Sequence, residues 1–239
     1  MKISDYIKQF PVFWINMDSA TERREQMEQR LGELGLNHTR VSGVACSTVI
    51  EGCAKSQLSI LENHKPPFII LEDDCGILSE TLDHEISALD TSDLDCLYLG
   101  ISSWAMSATG INNYKMSRMT EPTYCEPTQN PNIMKTHHML STHAILYLTQ
   151  SYVDGVIKEI KKYQYLNWHC DVACAEIQKN YNVSALNPPL FFQDEPNNKP
   201  VTKTKVYFDP SKKRIKMAEQ SNLVYGDFDS DQWLRYNND

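Results

Sequence analysis

The sequence predicts an α/β protein, with a mostly parallel central sheet flanked by helices. Short apolar runs of strand length alternate with amphipathic stretches at helical spacing. A strand, a helix and a second strand fit within residues 11–44, as expected of a chain that builds a parallel sheet. The apolar run in PPFIILEDDCG, residues 66–76, passes straight into Glu72, Asp73 and Asp74. Open α/β sheets hold their ligands at strand ends of this kind.

The elements follow in order. PVFWIN (11–16) reads as a buried first strand, after which Ser19-Ala-Thr-Glu22 has the form of a capping box opening a helix. Met27, Leu31 and Leu34 share one face of that helix, and Gly35 is placed to stop it. A short strand over 38–44, an amphipathic stretch over 50–61 and the Pro66-Pro67 break lead to the strand FIIL. Helical residues over 79–89 precede LDCLYLG (94–100), another apolar strand. Residues 101–140 are rich in Asn, Ser, Thr, Pro and Met and read as a long excursion of the kind usually functional or mobile in a compact domain. THAILYL (142–148) is again a strand. Helices over 150–162 and 171–180, a strand at 183–186 and the segment NPPLFFQDEP follow. The main domain is expected over 1–196. The tail, 197–239, is expected to be an extended arm or partly disordered.

The chain of 239 residues is long enough for one substantial domain. A net charge of −8 argues against broad attraction to nucleic acid or anionic lipid. The seven cysteines are odd in number with no CxxC pair, a pattern of free thiols in a reducing compartment. The N-terminal apolar run is too short for a signal peptide and no segment is long enough to span a membrane, so a soluble, cytoplasmic protein is expected, with any membrane contact peripheral.

Three adjacent carboxylates repel one another, and a solvated turn would carry them without difficulty. A divalent cation at the strand end would instead make the cluster favourable. Alternation along an extended strand sends Glu72 and Asp74 to one side and Asp73 to the other.

Several segments, in order, resemble glycosyltransferase family 25, which includes lipooligosaccharide and collagen galactosyltransferases. FWINMDSATERR is similar to its opening strand with Asn-Leu-Asp and a following Arg, Met17 standing for Leu. EGCAKSQLSIL is similar to its Gly-Cys-Ala-x-Ser-His-Leu stretch, with Gln57 in the His position. FIILEDDC, LDCLYLG and ALNPPLFFQ resemble its Glu-Asp-Asp strand, its next strand and its closing Pro-Pro-x-x-x-Gln. The resemblance covers about 12–193 and implies a GT-A (Rossmann-like) nucleotide-diphospho-sugar transferase fold. It also implies a UDP-sugar donor, Mn²⁺ or Mg²⁺, a glycan or glycoconjugate acceptor, and inverting transfer of a hexose, galactose or glucose.

On that reading Asp74 is the foremost metal ligand, Glu72 a metal or ribose contact, and Asp73 a supporting group at the donor site. Asn16 would meet the base or ribose, Asp18 the nucleoside or the helix start, and Arg23 the pyrophosphate. Asp171, in NWHCDVACAEI, resembles a later family Asp and is expected to be the general base, its competing role being a helix N-cap. Glu176 is a weaker candidate for the same task. His169 would ligate metal or phosphate, and Gln193 would close the donor site. His137, His138 and His143 are candidates to face the acceptor, and Trp104, Tyr114 and Tyr124 to stack on a sugar. DFDSD (227–231) lacks the rest of a calcium loop and reads as solvated tail. Two alternatives stay open: a sugar-nucleotide-binding module without turnover, and a transferase for modified DNA bases, argued only from the basic run at 203–216.

Overall fold

A computed structural model describes residues 1–100, 124–164, 169–193, 204–209 and 214–219. Its centre is an eight-stranded sheet. In chain order the strands of that sheet are β1 Val12–Asn16, β2 His38–Ser42, β3 Phe68–Glu72, β5 Cys96–Tyr98, β6 Tyr124–Pro127, β7 Ile133–His137, β8 Ala144–Tyr147 and β9 Val183–Leu186. They lie side by side as β2-β1-β3-β8-β5-β9-β7-β6. Six of the eight run in one direction, and only β8 and β7 are reversed. Because the reversed strands sit inside the sheet, only three of its seven pairings are parallel. The fold is therefore a mixed α/β sheet, less parallel in its neighbours than in its strand directions.

Helices cover both faces. Phe68 and Ile70 of β3 point into a core shared with α3 (Val49–Leu61), α5 (Gln150–Gln164) and α6 (Cys170–Ile177). Ile69 and Leu71 point into the opposite core, with α1 (Ile3–Ile7) and α2 (Thr21–Glu33). A strand buried on both faces needs apolar residues at every position, which is why FIIL is continuous rather than alternating.

Local chemistry sets the boundaries. Ala20 N–H donates to Met17 O, so the turn 17–20 delivers the chain into α2 at Thr21 with no side-chain cap. The capping box expected at Ser19 does not form. Gly35 ends that region in the left-handed conformation, at φ 64°. Thr48 caps α3 by accepting from Glu51 N. The single helix expected over 79–89 is two pieces, a 3₁₀ turn Ser79–Asp83 and α4 (Ala88–Thr91). Ser87 and Asp90 form a capping box that starts a helix afresh.

The excursion 101–140, expected to form the acceptor side, contributes strands to the sheet. Residues 101–123 lie outside the described residues, with Trp104 and Tyr114, but 124–137 supply β6 and β7, an edge of the main sheet. Residues 138–143 then cross from β7 to β8 as a buried connection. Gln178 satisfies the backbone of Met139 within it: Oε1 accepts from Met139 N at 2.7 Å while Nε2 donates to Met139 O at 3.0 Å. Buried connections are uncommon because their amides need such partners. In the tail, β11 (Thr204–Asp209) and β12 (Arg214–Glu219) pair as an antiparallel hairpin, so part of the expected arm is ordered sheet; 227–231 lie outside the described residues. Among the described residues no helix is long and apolar enough to cross a membrane.

Gln178→Leu keeps the volume but strands the amide and carbonyl of Met139. Chemical denaturation is expected to show a loss of about 1–3 kcal/mol, against about 0.5 kcal/mol or less for Gln150→Leu on the exposed face of α5. Equal losses for the two variants would refute the clamp.

Candidate functional site

Strand β3 ends at Glu72, and Asp73-Asp74 form the turn into β4 (Cys75–Ile77). The three carboxylates have different partners. Asp73 turns toward β1 and α2, where its oxygens accept from Asn16 Nδ2 at 2.6 Å and Arg23 Nη1 at 2.7 Å. Glu72 Oε1 accepts from Thr142 Oγ1 at 2.9 Å. Asp74 Oδ2 accepts from Gln193 Nε2 at 2.9 Å, and its Oδ1 is buried with no partner among the described residues. Gln193 reaches Asp74 because β10 (Phe191–Gln193) pairs antiparallel with β4, placing Gln193 opposite Cys75.

Asp171 enters from the other side. It is the second residue of α6, after His169 at the N-cap position, and its Oδ1 accepts from Val172 N at 2.8 Å. That bond occupies one oxygen with a first-turn amide, part of a capping role, although Asp171 is not the N-cap residue. Its charge acts on Glu72, so the end of β3 and the start of α6 face one electrostatic environment.

The charges are held at a cost. Burial, then the neighbouring Asp74 charge, pushes Glu72 up to about 8, with the Thr142 hydrogen bond opposing the rise. Burial pushes Asp74 up to about 6 against the hydrogen bond from Gln193. Burial also raises Asp171, and the nearby His169 opposes that rise. All three side chains nevertheless keep partial contact with solvent. Within that partial exposure Asp74 Oδ1 is itself buried.

The other sequence candidates are distributed as follows. Asn16 is 1% exposed and its amide is used within the protein: Nδ2 donates to Asp73 and Ala20 O, and Oδ1 accepts from Arg40 Nε at 2.9 Å. Asp18 is exposed and pairs with Arg40 and Arg24, which hold its carboxyl below the usual range. Arg23 is bound to Asp73. The charge of Glu176 acts on Tyr163 and Lys162 of α5. His143 is buried and held near 4 by burial, with Ser141 Oγ 3.0 Å from its Nδ1. His138 is buried in the crossing segment, and His137 lies 3.5 Å from Glu126. Gln57 is 2% exposed, and neither of its amide atoms meets a partner among the described residues.

Thr142 and Arg40 were not legible as site residues. By sequence Thr142 is the first residue of the strand expected over 142–148, and Arg40 falls within the short strand expected over 38–44. Only the pairing of β8 with β3 and of β2 with β1 brings them to the acids.

Among the described residues no three His, Cys, Asp or Glu side chains converge as a ready-made metal centre. The donor set instead fits a hard cation that takes one or two carboxylates and completes its shell with substrate phosphates and water. The unpartnered Asp74 Oδ1 is the oxygen best suited to it. No protein-family model matches the chain, and no curated protein matches it.

An acid raised in the folded state stabilises the fold fully below its unfolded value, and that contribution is lost as pH rises through the folded value. For Glu72 the window runs from 4.5 to about 8. The ligand-free protein is expected to lose thermal stability across it. Glu72→Gln should flatten that slope and melt a few degrees above the parent at the alkaline end, at about 2–4 °C per kcal/mol for a chain of this size. An unchanged slope in thermal scans would mean that Glu72 ionises normally.

Proposed function

We propose that this protein is a metal-dependent inverting glycosyltransferase of the GT-A type, working in the cytoplasm. It moves a hexose, galactose or glucose, from a UDP-sugar to a hydroxyl of a glycan acceptor. The observation that carries this reading is that Glu72 and Asp74, at the end of β3, and Asp171, at the start of α6, are partly exposed acids all raised by burial, with the Asp171 charge acting on Glu72. The resemblance of the sequence segments to family 25 supplies the donor class.

Asp74, through Oδ1, and Glu72 would hold Mn²⁺ or Mg²⁺, which neutralises charge on a leaving diphosphate. Thr142 and Gln193 fix the orientation of those two carboxylates. Asp171 takes the proton from the acceptor hydroxyl as its oxygen bonds to the anomeric carbon from the face opposite the diphosphate. The bond from that carbon to the β-phosphate oxygen breaks, UDP leaves, and the configuration inverts. A carboxylate with a raised pKa is a better base than an ordinary one, because it sits closer to the working pH. His169, at the N-cap position two residues before Asp171, would meet phosphate or the cation.

A panel of nucleotide sugars with Mn²⁺ tests the reading directly. Slow release of free nucleotide is expected from a UDP-hexose, and no hydrolysis or transfer with any donor would overturn the proposal. Asp171→Asn should lower kcat by about 10²–10⁴-fold while leaving donor affinity intact. A kcat within threefold of the parent would remove Asp171 as the base. Asp74→Ala should abolish the Mn²⁺-dependent part of UDP binding in calorimetry, and an unchanged affinity would remove Asp74 from the metal site.

A further inference from the structure

Cys53, on α3, and Cys170, the first residue of α6, are separated by 117 positions, yet their Sγ atoms lie 3.3 Å apart. We propose that these two thiols are a reversible redox modification site, closing to a disulfide when the protein meets a low-molecular-weight disulfide such as oxidised glutathione. A formed disulfide has its sulfurs at about 2.05 Å, so closure asks for an approach of about 1.2 Å between two packed helices.

The surroundings favour this pair. Cys53 is reached by solvent, whereas Cys170 is 4% exposed, so an attacking and a resolving thiol are already distinguished. Cys75 is buried and donates to His143 O, and Cys96 lies in the middle of the sheet. Cys174, one turn along α6, is the competing partner because the Cys53 charge acts on it, but it is 1% exposed and deeper in the core.

The chemistry balances. The Cys53 thiolate attacks oxidised glutathione and expels one glutathione thiolate. The Cys170 thiolate then attacks the Cys53 sulfur and expels the second. The two protons lost by the protein thiols end on the two released glutathiones, and the glutathione disulfide takes the two electrons. Cys170 immediately precedes Asp171. Drawing it toward α3 therefore shifts the carboxylate proposed as the base, so oxidation lowers transfer. That consequence rests on the proposed function, but the disulfide itself does not.

The test exposes the folded full-length chain to mixtures of reduced and oxidised glutathione, blocks remaining thiols with an alkylating agent, and maps the peptides by mass spectrometry. The expected result is a dominant Cys53–Cys170 cross-link that a dithiol reverses, survives Cys174→Ala and disappears in Cys53→Ser. A stable glutathione adduct on Cys53 without a cross-link, a Cys53–Cys174 bond, or no oxidation of Cys53 would each overturn the proposal. Donor hydrolysis should fall at least fivefold on oxidation of the parent and stay unchanged in Cys53→Ser. A cross-link that forms in a protein whose reduced form hydrolyses no donor would sustain the disulfide and refute the transferase reading instead.

Discussion

The site depends on the burial of carboxylates at the end of the central strand β3 and the start of α6, with repulsion from Asp74 adding to burial at Glu72. Glu72 and Asp74 each have one neutral hydrogen-bond donor, Thr142 and Gln193, and no cation of the described chain pairs with either directly. Neutral donors orient a carboxylate but do not cancel its charge. The raised pKa values of Glu72, Asp74 and Asp171 express burial first, and at Glu72 the neighbouring Asp74 charge as well. A site of this kind gains stability when a positive partner arrives, and perturbed acids of this sort cluster where ligands bind.

The third carboxylate is treated differently, and the contrast is informative. Asp73 is bound by Arg23 and Asn16, and Asn16 is bound in turn by Arg40, which also pairs with Asp18. This network ties the ends of β1, β2 and β3 together and engages the positive charge on that side of the acid turn. Asn16, Asp18 and Arg23 thus appear first as the frame that holds the acid turn.

Reversal of β8 supplies the opposite wall. Running antiparallel to both neighbours, it starts at the carboxyl edge of β3, where Glu72 N–H donates to His143 O at 2.8 Å. Thr142 then falls beside Glu72. The buried crossing 138–143, clamped by Gln178, makes that entry possible from the far side of the sheet.

How much of this was legible in the sequence divides by range. The strand FIIL, the helices over 50–61 and 150–162, the stop at Gly35 and the crowding of acids at a strand end follow from periodicity and local chemistry, which act over a few residues. Local competition already defeated some expectations: the turn at 17–20 displaced the box at Ser19, and the Ser87–Asp90 box divided the helix over 79–89. The sequence by itself determined an α/β chain with an acid cluster at the end of a doubly buried strand. Only the tertiary structure decided that 124–137 would be sheet, that Asp73 would be neutralised while Asp74 kept an unpartnered oxygen, and that Cys53 would meet Cys170. Those outcomes depend on partners 50 to 119 positions away along the chain, and no local propensity encodes which distant side chain will arrive.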